Sequence, residues 1–394
     1  MKKDIIPYGK HFIDQDDIDA VVDVLKNKNL TQGPAVLSFE KAIANYVGSK
    51  YAVAISSWTA GLHIAYLAAG LKEGDELITT PLTFVATSNA ALYCGAKPVF
   101  SDIDPQTINL CPDKLSRTVK EHPKAKIIAP VHFAGLACKM KEIKNMADKN
   151  KLLVIEDAAH ALGAKYEDGS MVGNCKYSLM TGFSFHPVKS IAAGEGGMIT
   201  TNNREIYRKL LRLRSHGINK YDDIFKNKHL AFTNGLNNPW YYEMQELGYN
   251  FRITDIQSTL GESQLKKLNN FIARRLEIVE RYDLAFKTFK NINPIQSKTR
   301  AQSSHHIYPV RINFKKVKIS RAKLMKTLSI ENILTQVHYM PVPMHPYYHN
   351  LDYKIDDFQN SLNYYEEALT LPLYFGLSDQ DQDKVIRLLK KIIG

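Results

Sequence analysis

The chain has 394 residues, of which 44% are hydrophobic and 23% charged. That balance is ordinary for a folded globular protein with a core large enough to need no disulfide or metal staple. The net charge is +12, yet no lysine or arginine block is dense enough for a nucleic-acid tail, so no nucleic-acid partner is expected; a basic field suits anionic small substrates such as nucleoside diphosphates. Cys94, Cys111, Cys138 and Cys175 are widely spaced with no C-x-x-C pair, which argues against a zinc site and fits a reduced, cytoplasmic setting. The opening MKKDIIPYGKHFIDQDD has no apolar h-region and reads as no signal peptide, and no run of about 18 apolar residues reads as a membrane span.

In chain order, DQDDIDAVVDVLKNK predicts a helix capped by Asp14 or Asp16, with Ile18, Val21, Val22 and Leu25 on one face. NLTQGPAVLSFEKAIANYVGS adds a turn and a second amphipathic helix. From residue 51, short apolar runs alternate with helical stretches: YAVAIS, ELITT, KPVFSDI, KIIAPVH, LLVIED, LMTGFSF and GMITT. Strands separated by helices predict an α/β fold with a mainly parallel sheet covered on both faces. The last two runs are close together, so one strand is expected to run antiparallel. A long helix in the segment beginning GYNFRITDIQSTLGESQ leads into a smaller α+β region, with strands near HIYPVRIN and ILTQVHY and helices near 319–328 and 378–393. The expected division falls near residue 265, with an N-terminal arm and large domain over 1–265 and a small domain over 266–394.

Ligands of open parallel sheets sit at the carboxyl ends of the strands, which directs attention to the residues just after each run. Ser57, Thr59 and Ala60 follow the first strand at a helix start, where backbone N–H groups suit a phosphate; read alone, such residues are more often N-caps. Phe84, after ELITT, suits stacking on a planar ring or an ordinary core. Asp157 ends LLVIED, and a buried carboxylate wants a cation; a protonated pyridine nitrogen, an arginine or a capping role all satisfy it. His160 reads as a ring-flanking or core histidine. Lys189, in SFHPVKSIAAGEGG, is placed to bond covalently to an aldehyde, and Gly194, Gly196 and Gly197 let the chain turn beside it. His338, His345 and His349 lack regular spacing across three prolines, so no metal is expected. Together, the phosphate cradle, aromatic, strand-end aspartate and lysine fall in order on successive units of one sheet, which is the inventory for pyridoxal 5′-phosphate.

LTQGP, SSWTAGLH, TTPLTFVATSNA, IEDAAHALGA, SFHPVKSIAAGEGG, RSHGI and LGYNFRITDIQSTLGESQLKKL jointly resemble the DegT/DnrJ/EryC1/StrS sugar aminotransferases, over most of the chain. The resemblance implies the aspartate aminotransferase-like fold (type I of the pyridoxal-phosphate enzymes), with a seven-stranded sheet in the large domain. It implies Lys189 as the cofactor-bonding lysine, Asp157 on the pyridine nitrogen, Phe84 stacked on the ring and His160 beside its 3′-oxygen. Thr59, Ala60 and Ser184 would contact the phosphate, beside Ser57 of the helix-start cradle, as would Asn250 reaching in from the second subunit of a homodimer.

Within the family, WYYEMQELGYNFRITDIQ, PVHFAG and ILTQVHY resemble the pseudaminic acid branch. That implies transfer of the amino group of L-glutamate to C4 of a UDP-4-keto-6-deoxy-N-acetylhexosamine. It also implies substrate contacts by Tyr8, by Lys28, Asn29, Leu30 and Thr31, by Trp58, and by Gln336, Val337, His338 and Tyr339. Trp58 departs from the small residue usual beside the phosphate cradle. The insert KYDDIFKNKHLAFTNGLNNPW is expected to cover the substrate. Alternatives are a different nucleotide 4-keto sugar, such as a legionaminic acid, perosamine or aminoarabinose precursor, or a non-catalytic regulatory protein on the same scaffold. The sugar dehydratases built on this scaffold put histidine in place of the lysine, so Lys189 argues against that chemistry.

Overall fold

All seven apolar runs form strands: β1 (Tyr51–Ile55), β2 (Glu76–Thr79), β3 (Lys97–Phe100), β4 (Ala125–Ala129), β5 (Leu153–Asp157), β6 (Met180–Ser184) and β7 (Gly197–Thr201). The computed structural model describes residues 5–220, 225–297 and 299–394. The strands hydrogen-bond in the order β1-β7-β6-β5-β4-β2-β3. Only β7 runs against its neighbours, pairing antiparallel with both β1 and β6, as the short link between the last two runs implies. The remaining pairs are parallel.

Alternation along each strand sends side chains to opposite faces. Ile78, Val154 and Phe183 join a core with α2 (Pro34–Val47), α5 (Pro112–Glu121) and α6 (Met140–Lys149). Leu77, Ile155 and Ile199 join another with α3 (Trp58–Ala68), α4 (Ala86–Tyr93) and α7 (Arg204–Arg214). Each large side chain fully buried this way contributes about 1.5–3 kcal/mol. The helices thus cover both faces and leave the carboxyl edge of the sheet for a site.

The helix α1 (Gln15–Asn27) begins at Asp14, which forms a reciprocal capping box with Asp17. The predicted apolar face is corrected: Val24 and Asp17 turn inward, while Ile18 and Leu25 stay exposed. Polar contacts set this rotation. Asp17 accepts from Gln264 at 2.6 Å and pairs with Lys267 at 2.8 Å, both on the long helix Asp255–Phe286. That helix has its own capping box, Thr254 with Gln257. Its Asp255 accepts from the N–H groups of Gly33 and Ala35 at 2.8 and 3.0 Å, so a residue more than two hundred positions away in sequence satisfies the open start of α2.

The long helix runs unbroken through position 265, and Leu265 and Leu268 pack with the large sheet. Farther along, Ile278, Val279, Tyr282 and Phe286 pack with a second core. That core is built on a three-stranded antiparallel sheet, Ile292–Pro294, Tyr308–Ile312 and Ala368–Leu371, with helices Arg321–Ile330 and Asp379–Ile393. ILTQVHY is not a strand. Its backbone is divided between two partners: Leu334 N–H donates to Ile6 O at 2.9 Å, and Gln336 exchanges hydrogen bonds with Thr370 at 3.2 and 2.7 Å. Each pairing is one isolated bridge, too short for a ladder. The segment instead runs along the carboxyl edge of the large sheet. Among the described residues no helix is long and apolar enough to cross a membrane.

Candidate active site

The carboxyl ends of β1, β2, β5 and β6 open into a cavity of about 660 Å³. Ser57, Thr59, Phe84, Asp157, His160, Ser184 and Lys189 line it, together with Tyr8, Trp58, Gln336, Val337, His338 and Tyr339. Chain segments more than three hundred residues apart thus converge on one space.

Ser57 caps α3, accepting from the Ala60 N–H at 3.2 Å. The N–H groups of Trp58 and Thr59 start that helix and have no carbonyl one turn earlier to receive them, so they remain available to an anion. Ala60 itself is buried, with its N–H committed to Ser57. On the other wall, Phe84 exposes 60% of its surface into the opening, an unusual position for a phenylalanine that packs in a core.

Asp157 is 5% exposed. Its Oδ2 accepts from Thr87 Oγ1 at 2.6 Å, and its Oδ1 accepts from Trp58 Nε1 at 2.8 Å and the Ala159 N–H at 3.2 Å. All three donors are neutral, and among the described residues no ion pair to this buried carboxylate is present. Lys189 faces the same cavity, and its amine makes no hydrogen bond or ion pair among the described residues. Burial pushes that amine down to about 8, against the opposing pull of the Asp157 charge. His160 is buried. The Tyr339 hydroxyl lies at hydrogen-bond distance, 3.0 Å, from its Nε2, and its Nδ1 has no partner among the described residues. His306 lies against it, with ring centroids 4.3 Å apart and the planes tilted by 37°. Burial holds both imidazoles well below their ordinary range, and the nearby Lys189 amine adds to the effect. Burial likewise pushes His338 down to about 3, and its Nδ1 contacts Thr370 Oγ1 at 2.9 Å.

These groups fit pyridoxal phosphate. A buried carboxylate without a cation, an unpaired amine of lowered basicity, an unpartnered imidazole nitrogen, an open aromatic face and free helix-start N–H groups are distributed around one cavity. Among the described residues no group of three His, Cys, Asp or Glu side chains could hold a metal ion.

Not every expected residue is in this cavity. Lys28 pairs with Asp23 on the surface, and Asn29 and Leu30 are exposed beside it. Thr31 bridges to Thr254, and Asn250 is exposed and bridges to Ser215. None of these five lines the chain's own cavity. Trp58 lines it but does not reach outward: it is 6% exposed and packed in the core. Of the insert, residues 221–224 lie outside the described residues, and Phe232–Thr233 and Leu236–Asn237 form a small hairpin away from the cavity. Sequence reasoning missed Thr87, which lies in a stretch it quoted, and His306, in the SSHHIYPV run; both side chains reach the cavity only through the fold.

A buried network stands behind Asp157. The neighbouring Glu156 side chain points to the opposite face and meets His132 Nε2 at 2.7 Å and the Tyr166 hydroxyl at 2.8 Å. His132 Nδ1 accepts from the Cys138 N–H at 3.1 Å, which places the ring proton on Nε2. Burial alone would raise the Glu156 carboxyl, but hydrogen bonds from His132, Ser178 and Tyr166 hold it below its ordinary range. A carboxyl lowered on folding stabilises the fold above its unfolded pKa, and that stabilisation is lost as pH falls through the folded value. Glu156→Gln is therefore expected to cost about 2–4 kcal/mol at neutral pH. In denaturant titrations the difference from the parent should narrow as the pH is lowered; a constant difference would argue against the charged network.

The chain belongs to the DegT/DnrJ/EryC1/StrS aminotransferase family, whose model matches residues 11–390. It is a pyridoxal-phosphate-dependent nucleotide-sugar aminotransferase. It is 40% identical to the spore coat polysaccharide biosynthesis protein SpsC of Bacillus subtilis, covering 98% of this chain and 97% of the relative. It is 39% identical to a UDP-4-amino-4,6-dideoxy-N-acetyl-beta-L-altrosamine transaminase of Campylobacter jejuni, covering 98% of each. Its fold superposes on that of Helicobacter pylori PseC, an aminotransferase of pseudaminic acid biosynthesis, with a TM-score of 0.90 at 31% identity over 99% of each chain.

Proposed function

We propose that the chain transfers the amino group of L-glutamate to C4 of a UDP-4-keto-6-deoxy-N-acetylhexosamine, giving UDP-4-amino-4,6-dideoxy-N-acetyl-beta-L-altrosamine for pseudaminic acid synthesis. The observation that carries this reading is the unpaired Lys189 amine facing the same cavity as a buried carboxylate that no cation neutralises. When bound, pyridoxal phosphate supplies an electron sink and carries the amino group between the two substrates. Asp157 would take the ring nitrogen as its missing cationic partner and keep it protonated. Phe84 would cover the ring and His160 would flank it, while Thr59, Ser57 and Ser184 would hold the phosphate, with Ala60 setting the helix start through its N–H to Ser57. Lys189 takes the proton from Cα of glutamate and later delivers one to C4 of the sugar. An amine lowered to about 8 exchanges protons in both directions near neutral pH. Tyr8 and Gln336 to Tyr339 orient the sugar.

Lys28 to Thr31 and Asn250 lie outside the chain's own cavity, which supports a homodimer in which these residues serve the partner's site. A UDP-sugar substrate and the absence of a membrane-spanning helix from the described residues accord with a cytoplasmic enzyme.

The test is to incubate the protein, pyridoxal phosphate and glutamate with UDP-, GDP- and dTDP-linked 4-keto-6-deoxy sugars and to identify each product and its C4 configuration. The UDP-N-acetyl substrate should be aminated fastest, with the altrosamine configuration. Preferential amination of another nucleotide sugar would replace this substrate, and no amination of any of them would refute the reading.

A further inference from the structure

The indole of Trp58 occupies a space prepared for it by two glycines. A Cβ on Gly182 would sit 1.7 Å from Trp58 Cη2, and one on Gly61 would sit 2.6 Å from Cε3. Any side chain at Gly182 would expel the ring, so the indole is confined and its N–H has one direction. That direction is Asp157 Oδ1, at 2.8 Å. An indole nitrogen donates and cannot accept, so this oxygen is always an acceptor. The other oxygen takes the Thr87 hydroxyl at 2.6 Å, itself 3.1 Å from Thr83 Oγ1. Donors on both oxygens fix the rotation of the carboxylate about its Cβ–Cγ bond, while a carboxylate with about four acceptor sites keeps capacity for one more donor.

We propose that Trp58 is a positioning residue: its indole N–H holds the Asp157 carboxylate so that the remaining acceptor site faces the ring nitrogen of bound pyridoxal phosphate. This rests on the reading of Asp157 given above. Trp58 therefore acts through the cofactor's electronics rather than by contact with the sugar.

Two variants separate the hydrogen bond from packing. Trp58→Phe keeps apolar bulk and loses the donor. Trp58→His loses the six-membered ring but keeps a ring N–H the same number of bonds from Cβ. For each holoenzyme the measurements are the single-turnover rate of the glutamate half-reaction, its KM, and the pH midpoint of the bound cofactor's visible absorption. Trp58→Phe should slow the half-reaction by about tenfold or more, as loss of a hydrogen bond to a charged group does. It should shift the absorption midpoint and leave KM within about twofold. Trp58→His should recover most of the rate and the midpoint. The inference is overturned if the midpoint of Trp58→Phe is unmoved, or if the two variants are impaired equally, as a packing role alone would produce. A parent protein that takes up no pyridoxal phosphate would instead refute the reading of the whole site.

Discussion

Lys189→Ala is expected to abolish amination, with a rate loss on the order of ten-thousandfold, because one amine serves as proton carrier in both half-reactions. Its stability should move the other way. The amine is pushed from 10.5 to about 8 by burial. A base whose pKa falls on folding destabilises the fold below the folded value, and the penalty disappears as pH rises toward the unfolded value. At neutral pH the full penalty applies, so the apoprotein variant should melt no lower than the parent. Thermal unfolding beside an amination assay checks both halves. Normal amination by the variant would remove Lys189 from the chemistry, and a markedly lower melting point would make the lysine structural.

Asp157→Asn should be the next most damaging change. Asparagine keeps the shape: its Oδ1 still accepts from the Trp58 indole, and the Thr87 hydroxyl can turn to accept from Nδ2, so the fold and the cavity should persist. What is lost is the negative charge opposite the ring nitrogen. A neutral amide leaves that nitrogen unprotonated and weakens the electron sink, so we expect about a hundredfold or greater fall in kcat with cofactor still bound. Steady-state kinetics with cofactor stoichiometry checks this; unchanged kcat would free Asp157 of the role.

Much of this was legible in the sequence because the fold places short-range signals in sequence order along one edge. All seven apolar runs became strands, and the residues after β1, β2, β5 and β6 line the cavity. The misreadings share a physical origin. ILTQVHY has strand composition, but its backbone groups are claimed by two different partners. The face of α1 follows from Asp17 meeting Gln264 and Lys267, a pairing invisible to periodicity. Trp58 looked too large for its place, and the compensating space comes from Gly182, far along the chain. Thr87 and His306 carry no local signal of their own: the first turn of α4 aims one at Asp157, and the stretch leading into the strand Tyr308–Ile312 carries the other against His160. In each case a long-range contact decides what the local pattern leaves open.

The lysine in SFHPVKSIAAGEGG is the residue proposed to bond the cofactor. Borohydride reduction of the holoenzyme, followed by proteolysis and peptide mass mapping, tests it most directly. The added mass of the reduced cofactor is expected on the peptide containing Lys189, fixed at that residue by fragmentation and absent when the protein is first converted by glutamate. Cofactor mass on any other lysine, or none on a protein that aminates sugars, would contradict it.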